Sequence, residues 1–157
     1  METLVWKLRI ATIWIFLGVV QLAAILTSVL VPDVLDEVMA TGEFEGMKVD
    51  TNLWAFFMIV FTLIPLAMAF LTLALRDPIN RYANAILGAL IGVSWAFDVA
   101  EHLVGGEVGG VVPICIMGAI AGLLIVWHAW RWPKPAEEAL DDRQSATSPN
   151  HRAAGVV

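Results

Sequence analysis

The chain has 157 residues, of which 59% are hydrophobic and 15% charged, and its mean hydropathy is +0.79. A water-soluble domain of this length cannot bury so much apolar surface, so the composition favours a membrane protein. The formal net charge is −6, and no basic cluster is large enough to hold phosphates, which argues against a nucleic-acid partner.

Four long apolar runs follow one another along the chain, at about residues 10–31, 53–75, 82–104 and 111–130. Each is about as long as the ~20 residues that a helix needs to cross a bilayer core. Because backbone polar groups in lipid must pair within their own segment, the runs are predicted to be helices. The sequence therefore predicts an all-α membrane domain over residues 1–132, a four-transmembrane-helix bundle with antiparallel up-down topology.

The basic residues predict how this bundle is oriented. Lys7, Arg9, Arg76, Arg81 and the basic residues after the fourth run would all lie on one side, and only Lys48 would lie in the loop between the first two runs. The positive-inside rule then places both termini in the cytoplasm of a plasma-membrane protein. The first run is too long for a signal peptide and no clear cleavage site follows it, so it is predicted to be a permanent span.

The loop after the first run is predicted to contain a short helix at the outer interface. Asp33 is a good N-cap residue, and Gly42 can end the helix. The apolar residues between them, Val34, Leu35, Val38 and Met39, share one helical face. A single apolar face is typical of an interfacial helix. The rest of this loop is acidic and is predicted to be mobile.

The second, third and fourth runs contain residues that affect helix packing. Pro65 removes a backbone donor near the middle of the second run, so a kink is expected there. The link RDPIN is so short that the second and third helices must be antiparallel neighbours. Two glycine pairs have the spacing that lets helices approach closely, within the bundle or, alternatively, against a second copy: Gly88 with Gly92, and Gly118 with Gly122.

The fourth run ends in an aromatic and basic sequence. Trp127, Trp130 and Trp132 with Arg131 are typical of an anchor at the inner membrane interface. His128 is expected to be an interface residue among these tryptophans. Residues 133–157 are polar and contain both charge signs, so a disordered cytoplasmic tail is predicted.

A polar stripe on the third helix is the strongest candidate for a site. At 3.6 residues per turn, Ser94, Asp98, Glu101 and His102 lie on one side of the helix, which should face the bundle interior or water. Asp98 would lie about one turn inside the outer boundary of the membrane. Gln21, near the middle of the first run, is expected to form a hydrogen bond with a neighbouring helix or, alternatively, to contact a ligand.

Three hypotheses account for this stripe. The favoured one is that it packs the third helix inside the bundle and ends in solvent. The second is proton or ion handling by Asp98 with His102 as its partner. The third is a metal held by Asp98 and His102, with Glu101 or carboxylates of the loops completing the site, but one histidine with carboxylates is a weak signal. We therefore assign no metal, no cofactor and no catalytic residue, and expect the only cysteine, Cys115, to be a packing residue.

Five segments resemble a family of small bacterial four-helix membrane proteins of unknown function. They are TIWIF (12–16), VLDEVMATG (34–42), IPLAMAFL (64–71), NRYANAILG (80–88) and VWHAWRWP (126–133). Their order and spacing carry the resemblance, which extends from about Lys7 to Pro133. The resemblance implies a fold and a membrane location and implies no reaction.

The sequence thus predicts an integral membrane protein, and its primary functional hypothesis is a small accessory or interaction component of a bacterial plasma membrane. Its expected partners are the lipid bilayer and a homo-oligomer formed through the small-residue helix faces. One alternative is an oligomeric proton- or ion-coupled transport or channel protein that uses Asp98, Glu101 and His102. A second alternative is a membrane-embedded enzyme.

Overall fold

The computed structural model describes residues 2–30, 34–44, 47–49, 51–106 and 110–132. The fold is all-α, and four of its helical segments are long and apolar enough to span a membrane. The helices are α1 (Glu2–Val29), α2 (Val34–Thr41), α3 (Asn52–Met58), α4 (Ile64–Ala74), α5 (Asp77–Val104) and α6 (Val112–Trp130). A π-helical turn over Ile59–Leu63 joins α3 and α4 into one span, and strands β1 (Glu43–Phe44) and β2 (Met47–Lys48) form a short antiparallel hairpin.

Two of the helices begin before the apolar runs from which they were predicted. Helix α1 begins at Glu2, about eight residues before the apolar run, because Lys7 is accommodated within the helix: its ammonium lies 2.9 Å from the Asp77 carboxylate and donates to the Leu75 carbonyl at 2.8 Å. Helix α5 begins at Asp77 rather than near residue 82, since an acidic residue and Pro78 suit a first helical turn.

The loop between the first two spans contains more structure than the sequence predicted. Helix α2 ends at Thr41, and Gly42 follows with a positive φ of 70°, the conformation that glycine favours after a helix. Beyond it, residues predicted to be mobile form the β1–β2 hairpin. Phe44 on β1 is buried and packs edge-on against Trp54, with ring centroids 5.3 Å apart. The expected N-cap Asp33 and the predicted tail after Trp132 lie outside the described residues.

The side-chain contacts define two ends of the bundle. At one, which we call the terminal end, the first turns of α1 and α5 lie beside the last turns of α4 and α6. Trp6 contacts His128 edge-on there, and the Arg81 guanidinium donates to the Trp130 carbonyl. The other, which we call the hairpin end, contains the last turns of α1 and α5, the start of α3 and α6, and the β-hairpin. The up-down passage of these helices through a bilayer and the interfacial position of α2 stay predictions.

The terminal half of the bundle is held by a buried polar cluster. The Asn84 side-chain oxygen accepts from Trp14 Nε1 at 2.5 Å and from the Thr72 hydroxyl at 3.0 Å. Its amide nitrogen donates to the side chain and the carbonyl of Asn80, and the Asn80 amide donates to the Thr72 carbonyl. All four side chains are fully buried. Three transmembrane segments are therefore joined by hydrogen bonds in a region where unpaired polar groups would be costly.

Helices α5 and α6 make the closest contact between transmembrane segments. The four predicted glycines are all buried at it, within a single chain. A methyl group on Gly122 would lie 2.5 Å from the Gly92 Cα, and one on Gly118 would lie 2.5 Å from the Trp95 ring. Because only hydrogen fits at these positions, the glycines fix how close the two helices come and in which register they face each other.

The irregularity around Pro65 takes the form of the π-helical turn over Ile59–Leu63, immediately before the proline. Pro65 is buried at the start of α4 and has no N–H to donate to the preceding turn. In a regular α-helix its ring would also crowd the carbonyl four residues earlier. A wider turn relieves this conflict within a continuous span. It also carries Phe61 to the hairpin half of the bundle.

We predict that Asn84→Ala lowers the free energy of unfolding by about 2 kcal/mol, because Trp14, Thr72 and Asn80 lose buried partners. The measurement is an SDS titration of detergent-solubilised protein followed by circular dichroism. Asn52→Ala, at an exposed position in the first turn of α3, is the matched control and should change stability far less. Equal effects of the two substitutions would contradict this assignment.

We also predict that Gly122→Ala destabilises the protein by about 2 kcal/mol, since the added methyl would overlap the backbone of α5. Gly18→Ala is the matched glycine control: its methyl would meet only the flexible tip of Leu66, at 3.1 Å, and alanine favours the helix. The same SDS titration compares the two variants. Equal stability of Gly122→Ala and Gly18→Ala would contradict the prediction that the α5–α6 contact leaves no room for a methyl group.

Candidate functional site

A cavity of about 510 Å³ lies at the hairpin end of the bundle. It is partly open and is lined by residues of α1, α3, the π-helical turn and α5, together with Phe44 of β1 and Val111. The π-helical turn and the β-hairpin, neither of which the sequence predicted, both contribute to its wall.

One wall of the cavity is aromatic. The rings of Phe57 and Phe61 stack at 6.1 Å with an interplanar angle of 10°, and Phe61 meets Trp95 edge-on at 6.3 Å. Phe44 and Trp54 form a second edge-on pair in the same lining. Linked rings of this kind give a wall of defined shape, and their faces carry the negative quadrupole that attracts cations.

The polar part of the lining, which we call the polar wall, contains the stripe that the sequence singled out. Five predicted residues line this one cavity, and they are Gln21, Ser94, Asp98, Glu101 and His102. The Ser94 hydroxyl donates to the carbonyl of Leu90 in its own helix at 2.9 Å. The stripe therefore borders a cavity. At the terminal end, Asn80 and Asn84 are instead fully buried and make the hydrogen bonds of the polar cluster.

The centre of the polar wall is a three-residue cluster that sequence reasoning missed in part. The Cys115 thiol, fully buried on α6, donates to the Asp98 carboxylate at 2.9 Å. His102 Nε2 lies 4.0 Å from the other oxygen of the same carboxylate. Ligand-type atoms of all three side chains lie within 4.8 Å of one another. A thiol, an imidazole and a carboxylate thus converge where α5 faces α6.

A signal for Cys115 was present in the sequence. Two helices that pack antiparallel run in opposite directions from any point of contact. The residue one turn after the contact on the first helix therefore faces the residue one turn before it on the second helix. Trp95 packs against Gly118, Asp98 lies about one turn after Trp95, and Cys115 lies about one turn before Gly118. Had the register been known from the glycines, Cys115 would have been placed opposite Asp98.

The cavity has a marked charge asymmetry. Two carboxylates line it, Glu101 is exposed at its rim, and the Asp98 side chain is 44% exposed. No lysine or arginine occurs among the described lining residues. The arrangement favours positively charged ligands over negatively charged ones.

Other polar candidates lie elsewhere. His128 is at the terminal end, where its Nδ1 donates to the Leu124 carbonyl at 2.7 Å and its ring contacts Trp6. Arg131 stacks over Trp127 at 4.0 Å, while Trp132 is buried rather than exposed at the surface. The predicted aromatic and basic anchor therefore consists of one cation–π pair, the exposed Trp130 and a core residue.

The chain belongs to a family of unknown function, DUF6326, whose model matches residues 5–139. No curated protein matches the chain, and no solved structure matches it. The family match covers all four membrane-length helices. Together with the length and apolar composition of these helices, the match supports an integral membrane protein of unknown activity.

Proposed function

We propose that this member of the family binds a small organic cation with an apolar body in the cavity at the hairpin end. The observation that supports this most strongly is that aromatic rings and carboxylates line one cavity, with no lysine or arginine among the described lining residues. Ligand sites in helix bundles are typically apolar with a few convergent polar groups, which is the composition found.

Each wall supports a different part of such a ligand. The rings of Phe57, Phe61 and Trp95 would contact its apolar body and stabilise its charge through cation–π attraction, typically ~0.5–2 kcal/mol. Asp98 and Glu101 would supply the opposite charge. A partly enclosed site strengthens these attractions, because solvent screens them less than at an open surface.

The polarity of the bundle along its length favours binding over conduction. At the hairpin end the helices part around the cavity, whereas at the terminal end Trp14, Thr72, Asn80 and Asn84 fill the space between three segments with hydrogen-bonded side chains. Binding of a ligand at the hairpin end by a single chain suits an accessory component that senses or captures that ligand. Transport through a homo-oligomer is the second candidate, and it would require these segments to move or further copies to contribute.

The exposed side chains and the distribution of basic residues support a position in a membrane. Long apolar side chains point outward along every span, and Phe70, Leu90 and Leu123 are each at least 60% exposed, as lipid contact requires. The one-sided basic residues support a bacterial plasma membrane with both termini in the cytoplasm and the cavity outward. Because the four glycines are covered within the chain, a homo-oligomer would use these apolar faces instead.

The prediction is that tetraphenylphosphonium binds the protein in lipid nanodiscs, measured by equilibrium dialysis with empty nanodiscs subtracted. Tetraphenylborate has the same shape and the opposite charge, so it should bind no better than to empty nanodiscs. Asp98→Asn and Glu101→Gln should each weaken tetraphenylphosphonium binding about fivefold, equivalent to ~1 kcal/mol. Asp36→Asn, at an exposed position on α2, is the control for a lost carboxylate.

Equal binding of the two tetraphenyl ions would contradict a cation-selective site. Selective binding that Asp98→Asn and Asp36→Asn weaken alike would place the ligand outside the cavity.

A further inference from the structure

We propose that Asp98, His102 and Cys115 form a binding site for a divalent transition-metal ion of the zinc type in the polar wall of the cavity. This goes beyond the proposed function, because it assigns roles to a thiol and an imidazole that an organic cation does not need. It departs from our sequence expectations of no metal and of Cys115 as a packing residue.

The geometry is close to that of a bound metal. Zinc lies ~2.0–2.3 Å from its nitrogen, oxygen and sulfur ligands, so ligand atoms around a tetrahedral ion are about 3.5 Å apart. Here Cys115 Sγ lies 2.9 Å from one Asp98 oxygen, His102 Nε2 lies 4.0 Å from the other, and all three side chains offer atoms within 4.8 Å. Adjustments of about 1 Å bring the set to a common ion.

The helices make these adjustments inexpensive. Asp98 and His102 are four residues apart on α5 and so share one face, and the Asp98 side chain is 44% exposed and can rotate toward an ion. Cys115 is held by the backbone of α6 at the fixed register that Gly118 and Gly122 set. The site therefore has one rigid ligand and two adjustable ones.

The donor set selects the class of metal. A thiolate is a soft ligand that Mg²⁺ and Ca²⁺ avoid, while sulfur, nitrogen and oxygen together suit Zn²⁺ and its neighbours Co²⁺ and Cu²⁺. Formation of the metal–sulfur bond releases the thiol proton, which leaves to the buffer, and the Asp98 carboxylate exchanges its hydrogen bond from the thiol for a bond to the metal. The two anionic ligands then balance the charge of the divalent ion.

The site leaves one coordination position for an outside molecule. Asp98 and His102 line the cavity, whereas Cys115 is fully buried behind them, so the side away from the thiol faces the cavity. Three protein ligands with an open fourth position are typical of zinc sites that bind an exchangeable ligand. Because an organic cation would also use Asp98, metal and organic cation are expected to compete.

Cobalt provides a specific test, because Cys115 is the only cysteine in the chain. We expect untagged protein in nanodiscs, kept reduced, to bind Co²⁺ one to one and to show the near-ultraviolet charge-transfer absorption of a thiolate–cobalt bond. Zn²⁺ should displace Co²⁺ and remove the band. His102→Gln and Asp98→Asn should weaken Co²⁺ binding at least tenfold, and Cys115→Ser should abolish the band.

His128→Gln is the matched control, since His128 lies at the terminal end, and it should leave the band unchanged. If Cys115→Ser does not fold, His102→Gln and Asp98→Asn decide the question, because their side chains are partly exposed and removing them creates no core defect. No charge-transfer band in the wild type, or a band that His102→Gln leaves unchanged, would overturn the proposal. Tetraphenylphosphonium binding, measured without metal, decides the proposed function separately.

Discussion

The close contact between α5 and α6 is the constraint on which the rest of the structure depends. Gly122 lies so near Gly92 that no side-chain atom fits between them, and Trp95 occupies the space that Gly118 leaves. These contacts fix the spacing and the register of the two helices together. As a consequence Asp98 and Cys115 face each other one turn further on, and the polar stripe of α5 is turned toward the cavity.

The two halves of the bundle use polar residues in opposite ways. Near the terminal end, Asn84 is fully buried and forms hydrogen bonds with the side chains of three other residues. These bonds join the helices where apolar packing alone gives little driving force, because the lipid is as apolar as the helix surfaces. Near the hairpin end, the polar residues of α5 border open space instead. A half held by a hydrogen-bonded buried cluster thus adjoins a half in which Asp98 and His102 line a cavity.

The sequence predicted those features that are encoded within single helices. Hydropathy gave four membrane-length helices, the i, i+3 and i+4 spacing identified the stripe at Ser94–His102, and the family resemblance is confirmed by the match over residues 5–139. What it missed depends on how helices face one another. Trp14 and Asn84 are 70 residues apart, and Cys115 gains its meaning only from the register of α6 on α5.

Local backbone departures account for the remaining differences. The π-helical turn before Pro65 was expected only as a kink, although it carries Phe61 into the aromatic wall. The β-hairpin that buries Phe44 is too short to show a strand pattern in sequence. Charged residues inside α1 and α5 extend both helices past the apolar runs, because Lys7 and Asp77 neutralise each other.

The central claim is that the packing of α5 on α6 brings position 98 beside Cys115. Cross-linking with dibromobimane in lipid nanodiscs tests it most directly, because the reagent becomes fluorescent only when it bridges two thiols and the chain has one native cysteine. Asp98→Cys should give an intramolecular fluorescent product, while Val104→Cys, whose position is 89% exposed at the end of α5, should not. Equal products from the two variants, or none from Asp98→Cys, would contradict the account.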